Sequence, residues 1–289
     1  MNNMRLGLFC STKDSILSTN RTFRLENLSF EKVYETLKKN LNDLKDILVF
    51  CKQNHIPMFR LGNAVVPFAS HPNFKDSWWS GLEPLFEDVK KFYENFDIRL
   101  TIHPGQFIQL GSPKETVVKA SLKELEYCTK VLDLLNAKDG VITLHIGGKN
   151  GNEAETLERF ERVFDENIWL QKYLALENDE YNFNARQTLD LCRICNIPMI
   201  FDIFHHSINP SDVTWNEIKQ SWKNKRPKVH ISSQGEGKIG THAKEIAQDD
   251  FKRLLEFLGD DSKHVDIMVE AKDKEYAIQK LYDLVFIHP

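Results

Sequence analysis

The sequence predicts a (β/α)8 barrel, a TIM-type barrel, on three observations. Eight short β-rich apolar segments alternate with amphipathic helical stretches along 289 residues. No Pro/Gly/Ser-rich linker, low-complexity tract or run of like charges divides the chain, so residues 1–289 read as a single domain. Metal-ligand and acid–base residue types gather at the carboxyl ends of the strands, the face where such barrels carry their chemistry. Alternation of this kind implies a parallel sheet, and eight units in one chain of this length fit a closed barrel better than an open doubly wound sheet.

The first strand, "RLGLFC" (5–10), leads to a helix over 30–54, where Val33, Leu37, Leu41, Leu44 and Leu48 recur every three or four residues. The second, "PMFRLG" (57–62), precedes a helix near 82–95, and the third, "RLTIHPG" (99–105), one near 114–136. "VITLHIG" (141–147) pairs with a helix near 153–167, and "YLALEND" (173–179) with one near 184–195. "PMIFDIF" (198–204), "PKVHIS" (227–232) and "VDIMVEA" (265–271) complete the strands, followed by helices near 211–221, 242–258 and 273–285.

Composition is that of an ordinary globular chain, with 41% hydrophobic and 28% charged residues. Nothing approaches the ~20 continuous apolar residues of a membrane span, and no signal segment is visible, so a cytoplasmic location is expected. Five cysteines form no disulfide framework, and the CxxC at Cys192 and Cys195 lies within a helical stretch without a second pair, which favours packing over zinc or redox chemistry. A net charge of −4 argues weakly against a nucleic-acid partner. That argument fails if the carboxylates cluster around divalent cations, each of which adds about +2 to the local field.

The histidines test the barrel. Seven of the ten, at 71, 103, 145, 205, 206, 230 and 242, lie at strand carboxyl ends or in the segments after them, whereas His55 and His264 precede strands. The third strand ends on His103, the fourth on His145, the fifth on Glu177 and the sixth on Asp202 and His205. The seventh gives His230 with His242 in its following loop, and the eighth gives Glu270. Any one of these alone reads as a hydrogen-bonded core residue. Together in one mouth, three carboxylates would repel and be driven to protonate, whereas divalent ions stabilise them and accept neutral imidazoles. Eight ligands with positions open to water imply two or three ions. The mixed donor set suits Mn, Zn or Fe rather than Mg or Ca. Multi-metal sites of this kind typically carry displacement at phosphorus, so the expected reaction is phosphoester hydrolysis.

The segments "STNRTFRLENLS", "FRLGNAVVPFASHP", "TIHPGQF", "LHIGG", "LENDE", "FDIFHH", "KVHIS" and "EAKDKE" closely resemble those of the UV damage endonucleases, in number and in order, over nearly the whole chain. The resemblance implies a barrel related to the three-metal AP endonucleases. It also implies metal-dependent incision of damaged double-stranded DNA immediately 5′ to cyclobutane pyrimidine dimers and 6-4 photoproducts, leaving a 3′-hydroxyl and a 5′-phosphate. An enzyme acting mainly on abasic sites is the alternative. The expected protein is a monomer without membrane contact, associated with the nucleoid when on DNA, and manganese is the first choice of metal, with zinc or magnesium behind it.

Carried over by motif, one ion takes His103, His145 and Glu177, a second shares Glu177 with Asp202, His230 and Glu270, and a third uses His205 and His242. "IGTHAKE" lacks the acid that related enzymes place two residues before His242. The resemblance offers carboxylation of Lys228 as a compensating anion; an ordinary strand lysine paired with a nearby acid is the other reading. His71, Glu177 and Lys228 are thus the candidate catalytic residues, His71 as a phosphate contact or third-ion ligand, or else as a cap of the "SHP" turn. Gln106 and Phe107 fall where the family probes the duplex, Phe107 replacing the more usual tyrosine. Leu8 and Thr12 stand where the family has a tyrosine and an asparagine near the lesion, with Phe9 of opposite strand parity to Leu8. Lys272 and Lys274, with Lys149, are expected phosphate contacts. Lys219, Lys223, Lys225 and Arg226 precede the seventh strand and belong to the far face, and Trp78 and Trp79 suit burial over the rim. In "FDIFHH", strand alternation favours His206 and the family spacing favours His205, a conflict resolved if the strand ends after Ile203.

Overall fold

The computed structural model describes residues 4–14, 16–105 and 107–287, with side chains to residue 284. Eight parallel strands, β1 (Arg5–Phe9), β2 (Met58–Leu61), β3 (Arg99–Ile102), β4 (Val141–His145), β5 (Leu174–Glu177), β6 (Met199–Asp202), β7 (Lys228–Ile231) and β8 (Asp266–Val269), close into a barrel in sequence order. Helices α1 (Phe30–Gln53), α2 (Trp79–Tyr93), α3 (Glu115–Leu134), α4 (Glu153–Glu166) and α5 (Ala185–Cys195) follow the first five strands in turn. After β6 come the short α6 (Ile203–Ile208) and α7 (Trp215–Ser221), and α8 (Gln248–Leu258) and α9 (Glu275–Ile287) follow β7 and β8. The (β/α)8 barrel read from the sequence is therefore the fold, with strand limits within one to three residues of those expected.

Strand register decides what the barrel encloses. Cross-strand partners share a face, and the pairs Gly7↔Met268, Gly7↔Met58, Phe9↔Arg60, Arg60↔Thr101, Thr143↔Ala175, His145↔Glu177, Asp202↔His230 and Lys228↔Asp266 trace one inward set around the ring. The alternate set, including Leu6, Leu8, Phe59, Leu100, Leu144, Leu176, Phe201 and Val229, packs against the apolar stripes of the helices in one continuous core. A barrel with helices outside and polar groups inside results. Leu8 is therefore sandwiched between sheet and helices with no exposed surface, and Phe9 takes the inward position.

The inward set is sealed at its amino-terminal end by charge. Asp266, fully buried, accepts from Arg5 Nε at 2.6 Å and Arg99 Nη1 at 2.8 Å. Arg99 also donates Nε to the Asp139 carbonyl at 2.8 Å and lies over the Trp222 ring, 5.3 Å from its centroid. Trp222, Val141, Ala175 and Ile200 form a small apolar plug beside it.

Three local departures from the expected elements have physical causes. The sixth strand stops at Asp202, whose carboxylate accepts the His205 N–H at 2.9 Å and so starts α6. The helix expected over 242–258 begins six residues later, because a Gln234↔His242 bridge and the Ser233 hydroxyl, which takes the Ala247 N–H at 2.9 Å, hold the preceding segment as a loop. Trp78 and Trp79 pack on Phe74, with Trp78 also against Phe30, at the foot of α2. Cys192 and Cys195 are buried in α5, and burial pushes both thiols up, that of Cys195 to about 12. No helix among the described residues is long and apolar enough to cross a membrane.

Removing one partner of a buried charge cluster typically costs about 3–5 kcal/mol. Asp266→Ala, which strands two arginines, should lose stability of that size in urea denaturation, and a loss below about 1 kcal/mol would mean that water replaces the carboxylate.

Candidate metal centre

At the carboxyl end of the barrel the inward positions become Phe9, Arg60, His145, Glu177, Asp202 and His230, joined by His103 and Glu270 one residue beyond β3 and β8. Glu177 is the hub. Its Oε2 lies 3.1 Å from His103 Nε2 and 3.5 Å from His145 Nε2, and its Oε1 lies 2.7 Å from His230 Nδ1. Among the described residues three groups bring ligand atoms within 4.8 Å of one another and could each hold an ion. They are His103, His145 and Glu177; Glu177, His230 and Glu270; and Glu177, Asp202 and His205. Glu177 is common to all three.

Proton bookkeeping shows why cations fit. His103 Nδ1 faces the Pro104 carbonyl at 3.1 Å, and a carbonyl only accepts, so Nδ1 carries the proton and Nε2 the lone pair. Burial holds the His103 ring below its usual range, so a lone pair faces a carboxylate oxygen. Two acceptors at 3.1 Å repel unless a cation sits with them. Among the described residues neither Asp202 Oδ2 nor His145 Nδ1, both buried, has a hydrogen-bond partner. Burial, with Glu177 and Glu270 nearby, pushes the Asp202 carboxyl up despite His205. An orphaned carboxylate oxygen and unshared imidazole lone pairs are the donor set that borderline divalent metals take.

His205 is oriented by Asn178, whose carbonyl accepts from its Nδ1 at 3.0 Å, while its Nε2 lies 3.6 Å from Glu180 Oε2; burial would lower the ring, but Asp202, Glu177 and Glu180 raise it to about 9. Asn178 also clamps the backbone of Asp202: its Oδ1 accepts the Asp202 N–H at 2.9 Å and its Nδ2 donates to the Asp202 carbonyl at 3.0 Å. His206, one residue on, packs at a tilt against Phe201, ring centroids 5.1 Å apart, and is in none of the three groups. His242 lies on the β7 loop with Nδ1 3.7 Å from Glu270 Oε2 and its ring 6.4 Å from that of His205, outside the three groups.

Arg60 was not singled out in the sequence, although a charge at an inward position of an apolar strand is a legible signal. Its Nη2 donates to Glu270 Oε1 and to His230 Nε2, the latter at 3.2 Å, and it is 6% exposed. Burial would raise the Glu270 carboxyl, but Arg60 holds it well below the usual range. Burial likewise lowers His230 to about 3, so its ring is neutral at pH 7. Asn178 and Glu180, near Glu177 in "LENDE", were also missed.

The remaining candidates are placed as follows. Lys228 is fully buried inside the barrel, its Nζ donating to Thr143 Oγ1 at 2.9 Å, and burial lowers its amine well below the usual range. It has no ion pair among the described residues. His71 Nδ1 accepts the Asn73 N–H at 3.1 Å in the turn after β2. Thr12 is buried and accepts the Leu17 N–H at 3.2 Å. Lys274 Nζ sits 3.1 Å from the Phe9 ring centroid and burial lowers it to about 8, whereas Lys272 is exposed. Phe107 projects from the β3 loop, 67% exposed. Gln106 lies outside the described residues.

Fold and site together define a (β/α)8-barrel protein with a histidine- and carboxylate-rich candidate metal centre at its carboxyl-terminal mouth. The model of the family UV-endonuclease UvdE matches residues 4–287, and the chain belongs to that family, which makes it a DNA repair endonuclease. A UV DNA damage endonuclease of Bacillus cereus (strain G9842) is 31% identical over 262 residues, covering 88% of this chain and 83% of the relative. The crystal structure of SacUVDE superimposes with a TM-score of 0.87 at 34% identity, covering 97% of this chain and 99% of that one. Endonuclease IV from Thermus thermophilus matches with a TM-score of 0.61 at 12% identity over 99% of this chain and all of that one, which shows a shared barrel.

A buried polar group left without its partner costs about 1–3 kcal/mol. Asn178→Ala leaves the Asp202 N–H and C=O unpaired together, so chemical denaturation should show a loss of about 2–4 kcal/mol; a loss under about 1 kcal/mol would show that the clamp contributes little.

Proposed function

We propose that this endonuclease hydrolyses the phosphodiester immediately 5′ to UV lesions in double-stranded DNA, cyclobutane pyrimidine dimers and 6-4 photoproducts, leaving a 3′-hydroxyl and a 5′-phosphate. The observation that carries the reading is Glu177 at the junction of three ligand groups, in a chain of the UV-endonuclease family. His103, His145 and Glu177 would hold one divalent ion, Glu177, Asp202, His230 and Glu270 a second, and His205 with His242 a third, with manganese the metal we expect first. Bound there, the ions would supply Lewis acidity toward the phosphate and lower the pKa of water to near neutrality.

The chain's own residues do the rest. The Pro104 carbonyl fixes the His103 tautomer so that its Nε2 presents a lone pair inward, and the Asn178 carbonyl orients the His205 ring. Arg60 holds Glu270 in place and moderates the negative charge that phosphate meets on arrival. Lys228, buried and favouring the neutral amine, is suited to add CO2 at Nζ with loss of a proton, which would give the third group the anion that the segment before His242 lacks. Lys272 and Lys274 flank the mouth for phosphate contacts, Lys274 poised over Phe9. Phe107, exposed beside His103, would fill the space of an extruded base, with Gln106 next to it. His71 stands on the β2 loop as a candidate phosphate contact. The chain is expected to act as a monomer.

The test is incision of end-labelled duplexes carrying a dimer, an abasic site or no lesion, with Mn2+ added or chelated. We expect a single cut 5′ to the dimer that needs the metal, and a Glu177→Gln variant at least about 10³-fold slower. Equal cutting by both proteins, or cutting in chelator, would refute the metal mechanism; exclusive cutting at the abasic site would refute the lesion assignment.

A further inference from the structure

Phe107 is not alone on the rim. Ile239, on the β7 loop, is 66% exposed and Tyr181, on the β5 loop, 63%. β3 and β7 are four apart in a ring of eight, so Phe107 and Ile239 rise from opposite sides of the mouth with the candidate metal groups between them. Exposure alone would say little, but the backbone that carries Ile239 is held in place. Gln234 bridges to His242, its Nε2 donates to the Gly235 and Lys238 carbonyls at 2.7 and 3.0 Å, and its Oε1 accepts the Gly240 N–H at 3.0 Å. Tyr181 reaches across from the β5 loop, two strands away, and donates its hydroxyl to the Ile239 carbonyl at 2.7 Å. Gly240, at φ +90, adopts a conformation that favours glycine, and a Cβ there would stand 3.2 Å from the Tyr181 hydroxyl. The tip's charges, Glu236 and Lys238, cancel, so it has no electrostatic preference for phosphate and presents an apolar face.

We propose that Ile239, held at its carbonyl by Tyr181, is a second wedge that enters the damaged duplex opposite Phe107. The inference rests on the reading that the substrate is a lesion of two adjacent nucleotides. Extruding two nucleotides opens a gap of two base steps, about 7 Å at about 3.4 Å per step, and one aromatic ring fills only half of it. Apolar side chains, isoleucine among them, are the residues that occupy unstacked steps in DNA.

The experiment compares equilibrium binding of Mn2+-loaded protein to three labelled duplexes, one with a dimer, one with an abasic-site analogue and one undamaged, the damaged two carrying an uncleavable linkage 5′ to the lesion. Ile239→Ser should weaken dimer binding about tenfold and narrow the preference for dimer over abasic site by nearly as much. Phe107→Ala should weaken binding to both lesions. Tyr181→Phe, which removes only the hydroxyl, should shift the preference in the same direction by about threefold with an unchanged unfolding temperature. Ile239→Ser and Tyr181→Phe that bind both lesions as the wild type does, or lose equally on both, would overturn the wedge assignment. A wild type that holds the dimer no better than undamaged DNA would instead overturn the functional reading.

Discussion

Three carboxylates, Glu177, Asp202 and Glu270, share the carboxyl-terminal mouth of one barrel almost wholly out of water, and their mutual repulsion is the constraint on which the rest of the site depends. Moving each ion out of water costs several kcal/mol, and like charges at short range raise that cost. The protein offsets it only in part. Arg60 neutralises Glu270, and His230 Nδ1 lies 2.7 Å from Glu177 Oε1, but Asp202 keeps a buried oxygen with no hydrogen-bond partner among the described residues. His103 has its Nδ1 proton turned onto the Pro104 carbonyl, which leaves its Nε2 lone pair toward Glu177. The residual negative charge and the inward lone pairs are what divalent cations would satisfy, and they also explain how a chain of net charge −4 can serve a polyanionic substrate.

The fold makes that arrangement tolerable by separating tasks. Apolar strand positions face the helices and supply the continuous core, so the inward positions can carry polar groups at both ends, alongside apolar ones such as Met58, Met268 and Ala175. Asp266, Arg5 and Arg99 close the amino end as a balanced cluster, Lys228 and Thr143 span the middle, and the ligand groups occupy the far end. Stability and chemistry thus sit on opposite faces of the same barrel.

The architecture was legible because eight period-2 strands and eight period-3.6 helices leave separate marks, and the strand-end histidines were legible because each lies within a residue or two of an apolar run. What the sequence left open was side-chain direction. FDIFHH admits His205 or His206 until one knows that Asp202 caps a new helix, which turns the chain and sends His205 inward. Leu8 and Phe9 are both apolar, and only the register with β2 and β8 assigns Phe9 to the interior. A charge such as Arg60 within an apolar strand can be noticed in the sequence, but its partner cannot: only the closed barrel places its guanidinium beside Glu270, 210 positions away in the chain. Long-range pairing of this kind has no local signature.

The central claim is that Glu177 joins the ion sites into one centre. Native mass spectrometry of Mn2+-equilibrated protein counts the ions directly. Two or three are expected in the wild type and at most one in Glu177→Gln, because two of the assigned sites use that carboxylate; the same count in both proteins would contradict the claim.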